Sequence, residues 1–248
     1  MGGTQMALLE LRAVAKRFGG VVAVEDCSLA VAEGTVTGLI GPNGSGKTTL
    51  FDLVTGFQAP DAGAVTFRGR SIIGLAPDRV HRLGIGRTFQ LARVFPRLTA
   101  LENLLVPVPR RGLLGLLAGA RTAGEERRAR EMLDFLGLAA LAGQLAGRLS
   151  FGQRKLLELG AVMMARPDLV LLDEPAGGVN PGLLESIAAA IRELNGRGVT
   201  FLIVEHNMGF VMDLCDPVVV LDRGRPIASG PPAEVRADPA VLDAYLGA

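Results

Sequence analysis

Val36-Thr-Gly-Leu-Ile-Gly-Pro-Asn-Gly-Ser-Gly-Lys-Thr-Thr-Leu50 decides the fold class of this 248-residue chain. Val36 to Ile40 is a short apolar run of the kind that forms a buried strand. It leads into Gly41-Pro-Asn-Gly-Ser-Gly-Lys-Thr-Thr49, which fills the pattern G-x-x-x-x-G-K-[ST]. A helix is expected to open at Lys47. Strand, glycine-rich loop and helix together make the mononucleotide-binding unit of an α/β fold. The glycines let successive N–H groups turn toward one point and cradle phosphate oxygens, and the helix dipole adds positive potential there. Gly41, Pro42, Asn43, Gly44, Ser45, Gly46, Lys47, Thr48 and Thr49 are therefore assigned to nucleotide binding. Lys47 supplies a point charge to the β- and γ-phosphates, and Thr48 a hydroxyl to Mg²⁺.

Outward from this unit, the chain to about Val36 reads as β-rich. Leu8–Val14 and Cys27–Val31 alternate loosely, with turns at Phe18-Gly-Gly and Glu33-Gly. Residues 60 to 73 read as a turn and another strand. Leu169–Leu172, Val199–Val204 and Val218–Leu221 are further apolar strands. Leu183, Leu184, Ile187, Ile191 and Leu194 lie at helical spacing, with Asn195-Gly196 as the stop. Strands alternating with helices imply a parallel sheet covered on both faces. From Thr99 to Arg148 the composition shifts to Leu, Ala, Arg and Glu, and Glu125–Leu138 has helical spacing with Gly137 as its stop. Pro107–Gly124 is a candidate flexible stretch. The expected plan is one domain over 1–248, with a core at 1–98 and 149–248 and a helical subdomain at 99–148. No internal repeat is visible.

A formal net charge of +1 does not suit a strongly basic nucleic-acid binder. The arginines between Arg110 and Arg130 are mixed with Glu125, Glu126 and Glu131, without interleaved aromatics, and read as a solvated helical face. No stretch reaches the ~20 apolar residues that span a bilayer; the nearest is Leu113–Ala120. Service to a membrane would run through a partner. Met1-Gly-Gly-Thr-Gln-Met6 shows no basic segment before a long apolar run, so no secretory signal is expected. Cys27 and Cys215 form no metal-binding pattern and read as buried thiols, and His81 reads as part of a solvated face.

Two more stretches carry chemistry. Leu169-Val-Leu-Leu-Asp-Glu-Pro175 buries a strand and puts two carboxylates at its end, beside the phosphate loop. Asp173 suits Mg²⁺ held through water, and Glu174 suits polarising an attacking water as general base. Leu149-Ser-Phe-Gly-Gln153 opens a helix with a serine cap. Its open N–H groups make a second anion site, although the chain has one phosphate loop. The economical assignment is that Ser150, Phe151, Gly152 and Gln153 close over an ATP held by another copy. None of Lys16, Lys47 and Lys155 sits in Asn-Lys-x-Asp, so ATP is expected rather than GTP.

The phosphate loop, Leu-Ser-x-Gly-Gln and Leu-Leu-Asp-Glu-Pro, in this order, resemble the ATP-binding cassette of ABC transporters over essentially the whole chain. The resemblance implies a P-loop NTPase cassette: α/β, with an N-terminal antiparallel β element and a helical insertion. It makes Gln90 in Arg87-Thr-Phe-Gln a sensor of Mg²⁺ and nucleotide that links to the membrane subunit, and His206 in Val204-Glu-His-Asn a γ-phosphate contact. Asn180 stands in the position where many cassettes have Asp. Phe151 replaces the commonest glycine of the signature. Phe18 is placed like the family's adenine-stacking aromatic, a core or turn aromatic being the rival reading, and Val24 is a further apolar contact. Arg17-Phe-Gly-Gly, Gly84-Ile-Gly-Arg-Thr-Phe-Gln, Leu101-Glu-Asn-Leu-Leu-Val, Asp173-Glu-Pro-Ala-Gly-Gly-Val-Asn-Pro, Val204-Glu-His-Asn-Met and Ala244-Tyr-Leu-Gly are similar to importers of branched-chain amino acids.

That resemblance implies an ATPase using ATP and Mg²⁺ at the cytoplasmic face of the inner membrane. Its implied partners are transmembrane permease subunits, a second cassette (identical or related) and, indirectly, a substrate-binding protein. The stretch Leu91–Leu104 is expected to line the groove for a permease helix. An exporter cassette of the lipopolysaccharide type and a soluble ABC ATPase remain alternatives.

Overall fold

A computed structural model of the protein describes residues 7–108 and 122–246, and the structural statements below concern these residues. Leu113–Ala120 and most of Pro107–Gly124 lie outside them. β1 (Ala7–Phe18) and β2 (Val21–Ala32) form an antiparallel hairpin with Phe18 opposite Val21. Both strands are longer than the sequence pattern suggests. Register shifts occur along the pair, and Ala13 and Asp26 sit at φ +47° and +48°. Such bulges interrupt the period-2 alternation that marks a strand in sequence. β3 (Val36–Ile40) leads into α1 (Lys47–Val54) as expected.

The stretch 60–73 is two strands rather than one: β4 (Ala62–Phe67) and β5 (Arg70–Ser71). Arg68 and Gly69 between them have φ +50° and +72°, the paired positive values of a two-residue hairpin turn. These strands join the hairpin in an antiparallel sheet of order β2-β1-β4-β5. Next come α2 (Pro77–Arg82), β6 (Ile85–Arg87), α3 (Ala100–Leu105) and α4 (Ala123–Phe135). In α4 a capping box joins Thr122 and Glu125, and the Gly137 N–H and Leu138 N–H close on Asp134 O and Leu133 O. The last pair is the glycine-ended stop read from the sequence.

α5 (Phe151–Met164), β7 (Leu169–Asp173), α6 (Pro181–Gly196), β8 (Thr200–Val204), α7 (Met208–Leu214) and β9 (Val218–Asp222) follow. β10 (Arg225–Gly230), α8 (Pro232–Ala237) and α9 (Pro239–Leu246) end the described chain. α6 ends at Gly196, where the sequence places its stop. The left-handed residue comes two positions later, at Gly198 with φ +96°. Asn195 ties the helix to its surroundings, donating to Gly34 O and Val199 O.

The second sheet has the order β10-β9-β3-β8-β7-β6, with β9, β3, β8, β7 and β6 parallel and β10 antiparallel at one edge. β3, β7 and β8 are buried at every position. Their side chains alternate between two cores. Ile40, Val170, Leu172, Phe201 and Ile203 pack toward the α5–α6 side, while Leu39, Leu169, Leu171, Leu202 and Val204 pack toward α1 and the antiparallel sheet. Burial on both faces is why these strands read as unbroken apolar runs. Their C-terminal ends converge on one edge, where such folds bind ligands.

Candidate active site

The phosphate loop turns between β3 and α1. Gly46 sits at φ +102°, and a Cβ there would lie 2.4 Å from the Ala23 carbonyl oxygen, so glycine is required. Lys47 is buried, and its Nζ donates to Gly41 O and Pro42 O at 2.8 Å and to Ser45 Oγ at 3.2 Å. Burial pulls its pKa down, opposed by the negative charges of Glu174 and Asp173. Thr48 is exposed on the first turn of α1. The loop forms an open cleft of about 250 Å³ with Val21, Val22, Ala23, Glu174 and His206.

Strand pairing aligns the other half of the site. β7 and β8 run in register with Asp173 opposite Val204, and the Glu174 N–H donates to Val204 O at 2.9 Å. Glu174 and His206 therefore leave adjacent strand ends toward each other. Glu174 Oε1 lies 3.0 Å from His206 Nε2, and Gln90 Nε2 donates to Glu174 Oε2 at 2.7 Å. The structure brings together Lys47, Gln90, Glu174 and His206, which lie far apart in sequence. Arg87, on β6, donates to Asp52 Oδ1 at 2.6 Å and to Asp173 Oδ2 at 3.3 Å. Burial raises the Asp173 pKa, Arg87 opposes that rise, and Glu174 and Asp52 reinforce it.

Ser150 caps α5 in a reciprocal box with Gln153, as its sequence pattern predicts. Gly152 packs so closely on α6 that a Cβ would fall 2.0 Å from Leu183 Cδ2. The Phe151 ring faces Gly178. Ser150, Phe151, Gly152 and Gln153 do not line the cleft around Lys47. Asn180 caps α6 by accepting from the Leu183 N–H at 3.0 Å. Asn and Asp cap helices about equally well, which accounts for either residue at this position.

Two adenine-side expectations separate. Phe18 is 45 % exposed, with Lys16 Nζ 5.4 Å from its ring centre, so it is not a core aromatic. Val24 is corrected: it is fully buried between the two sheets and cannot meet a nucleotide. β2 turns it into the core, and Val21, 67 % exposed, offers the apolar surface at the cleft instead. His81 is exposed as expected. Cys27 and Cys215 are buried thiols pushed up to about 12, out of reach of thiolate chemistry.

Four charged residues escaped the sequence reading. Arg87 stood inside the quoted Arg87-Thr-Phe-Gln, and Glu205 directly precedes His206. Lys155 and Glu158 lie on α5 behind the signature and are buried. Glu158 accepts from the backbone N–H groups of Phe89 at 3.4 Å and Arg93 at 3.0 Å, holding both flanks of Gln90. The available signal was a charge placed among apolar helix residues, which only partners can justify.

The donors near the cleft fit a hard divalent ion. Thr48, Gln90 and Asp173 supply a hydroxyl, an amide oxygen and one carboxylate, a set that suits Mg²⁺ when phosphate oxygens and water complete it. Among the described residues, no group of three or more His, Cys, Asp or Glu side chains could hold a metal by itself.

The ABC transporter family profile matches residues 24–177. The chain belongs to the ABC transporter ATP-binding cassette family. A second profile, the branched-chain amino acid ATP-binding cassette transporter, matches residues 225–248 of this cassette. The cassette is 41 % identical to the high-affinity branched-chain amino acid transport ATP-binding protein BraF of Pseudomonas aeruginosa, covering 97 % of this chain and 98 % of that one. It is 37 % identical to LivG of Escherichia coli, a protein of the same description, over the same shares. A nucleotide-free cassette of an ABC transporter superposes with a TM-score of 0.88 at 37 % identity, covering 98 % of this chain and all of that one. A dimeric cassette in a post-hydrolysis state, bound to ADP and Pi, superposes with a TM-score of 0.79 at 25 % identity, covering 90 % and 98 %. The cassette is thus an ATPase of a transport family. No helix among its described residues is long and apolar enough to cross a membrane.

Proposed function

We propose that this cassette is the ATP-hydrolysing subunit of an importer of branched-chain amino acids, working at the cytoplasmic face of the inner membrane. The observation that carries the proposal is similarity from end to end, including the tail at 225–248, to proteins described as branched-chain amino acid transport subunits. Permease subunits and a second cassette are the partners, with a substrate-binding protein acting through the permease. The whole chain works as one domain, with 99–148 as its helical subdomain.

Two cassettes close head to tail on two ATP molecules. The loop at 41–49 and Lys47 bind the phosphates of one, with Val21 and Phe18 toward the adenine. Ser150, Phe151, Gly152 and Gln153 of the other copy cover the γ-phosphate, and Asn180 lies beside that contact. Thr48, Gln90 and Asp173 would hold Mg²⁺, which would offset the charge on the transferred phosphoryl oxygens. Glu174 takes the proton of the attacking water, and His206, 3.0 Å from it, orients the carboxylate and reaches the γ-phosphate. Gln90 holds the other carboxylate oxygen and leads into Leu91–Leu104, where Leu91 and Phe95 are exposed apolar residues for a permease helix.

Affinity purification of the tagged protein in mild detergent, with mass spectrometry of what accompanies it, tests this reading. Two permease subunits and a second cassette are the expected companions. Recovery of an outer-envelope export machinery, or of soluble proteins alone, overturns the importer assignment.

A further inference from the structure

Two buried charges outside these roles end on the same turn. Glu205 is 2 % exposed and directly follows β8. Its Oε1 accepts from the Ala176 N–H at 2.5 Å, and its Oε2 accepts from the His206 N–H at 2.8 Å and the Asn207 N–H at 3.0 Å. One carboxylate thus joins the loop after Glu174 to the loop that carries His206. Lys155, 6 % exposed, comes from the other side and donates to the Glu174 carbonyl oxygen.

Glu174 itself sits at φ +49°. A non-glycine residue holds this left-handed conformation only where its surroundings impose it. The N–H groups of the turn and the Glu174 carbonyl are all held. The Glu174 N–H is held by Val204, its carbonyl by Lys155 and the Gly177 N–H, and the Ala176 N–H by Glu205. Among the carboxylates whose charge opposes the burial of Lys155, Glu205 contributes most. A buried ion of either sign is costly without opposite charge nearby, and Glu205 and Lys155 each lower that cost for the other.

We propose that Glu205 and Lys155 are positioning residues: they clamp the Glu174–Ala176 turn to the His206 backbone, so that the Glu174 carboxylate meets His206 and Gln90. The inference rests on the role proposed above for Glu174. Lys155 also stands on the helix capped by Ser150, so the clamp ties the turn to the helix end assigned to the second ATP. Neither residue lines the cleft around Lys47, and both act through Glu174.

Glu205→Gln keeps the side chain's size but turns amide hydrogens toward backbone N–H donors. MgATP hydrolysis by the complete transporter complex is measured for the wild type, Glu205→Gln, Glu174→Gln and the double variant, with melting temperatures alongside. The clamp predicts a fall in kcat for Glu205→Gln on the order of 10- to 100-fold, the scale of a misplaced catalytic group. KM for MgATP should stay within about twofold, since the loop at 41–49 is untouched. The double variant should be no slower than Glu174→Gln alone. Normal kcat in Glu205→Gln, parallel loss of kcat and affinity, or losses that multiply in the double variant would overturn the clamp. If Glu205→Gln does not fold, Lys155→Met carries the same test from the other side. Glu174→Gln turning over at the wild-type rate refutes the base assignment itself; a slow Glu174→Gln beside a normal Glu205→Gln refutes the clamp alone.

Discussion

Glu158→Gln should make the protein more stable at alkaline pH and leave it nearly unchanged in acid. Glu158 is buried on α5, and desolvation raises its pKa from 4.5 to about 7. The N–H groups of Arg93 and Phe89 and the charges of Lys155 and Arg93 pull the other way, and burial wins. Between pH 4.5 and about 7 the folded protein keeps a proton that the unfolded chain has released. Folding stability must therefore fall as pH rises through that window. At 1.36 kcal/mol per pH unit, the whole effect amounts to about 3 kcal/mol. Glutamine is neutral at every pH and keeps an oxygen for the two N–H donors. Its gain over wild type should thus be near zero at pH 4.5 and approach about 3 kcal/mol above pH 8, less whatever the Lys155 charge loses. Urea unfolding of both proteins across this range, at fixed ionic strength, measures the difference. A difference that does not change with pH would refute the reasoning, because it would mean that Glu158 titrates alike in both states.

Val24→Ala should cost about 2 kcal/mol through its core cavity while leaving KM for MgATP unchanged, and Val21→Ala should do the reverse; denaturation and steady-state kinetics separate them. Gly46→Ala forces a Cβ onto the Ala23 carbonyl and should weaken nucleotide binding at least about tenfold, as read by titration calorimetry, given strain of about 1–3 kcal/mol. Arg87→Met removes the cation that opposes the upward shift of Asp173, so the acid limb of the kcat/KM profile should move to higher pH.

The parts of the fold legible in sequence were those that depend on local chemistry. β3 and the loop at 41–46 carry their own pattern, and the cap at Ser150 is written in adjacent residues. The long hairpin was underestimated because bulges at Ala13 and Asp26 break its alternation. The turn at Arg68-Gly69 was passed over because arginine is an unusual residue for positive φ. For the site, motifs located Lys47, Asp173, Glu174, Gln90 and His206, but the grouping around Glu174 comes from strand register. Val24 was misplaced because an apolar residue near the loop does not reveal which face of β2 it occupies. The roles of Glu158 and Glu205 were not legible because the N–H groups of Phe89, Arg93 and Ala176 that they hold lie far away in sequence.

The central claim is that Glu174 activates water on an ATP shared by two cassettes. Glu174→Gln keeps the side chain's size beside His206 and Gln90 but removes the base. Size-exclusion chromatography in MgATP, with the hydrolysis rate measured on the same samples, tests it directly. The account predicts turnover lowered by roughly 10²–10⁴ and a dimer that persists in MgATP and dissociates when nucleotide is withdrawn. A variant that hydrolyses ATP at the wild-type rate, or one that stays monomeric in saturating MgATP, would contradict it.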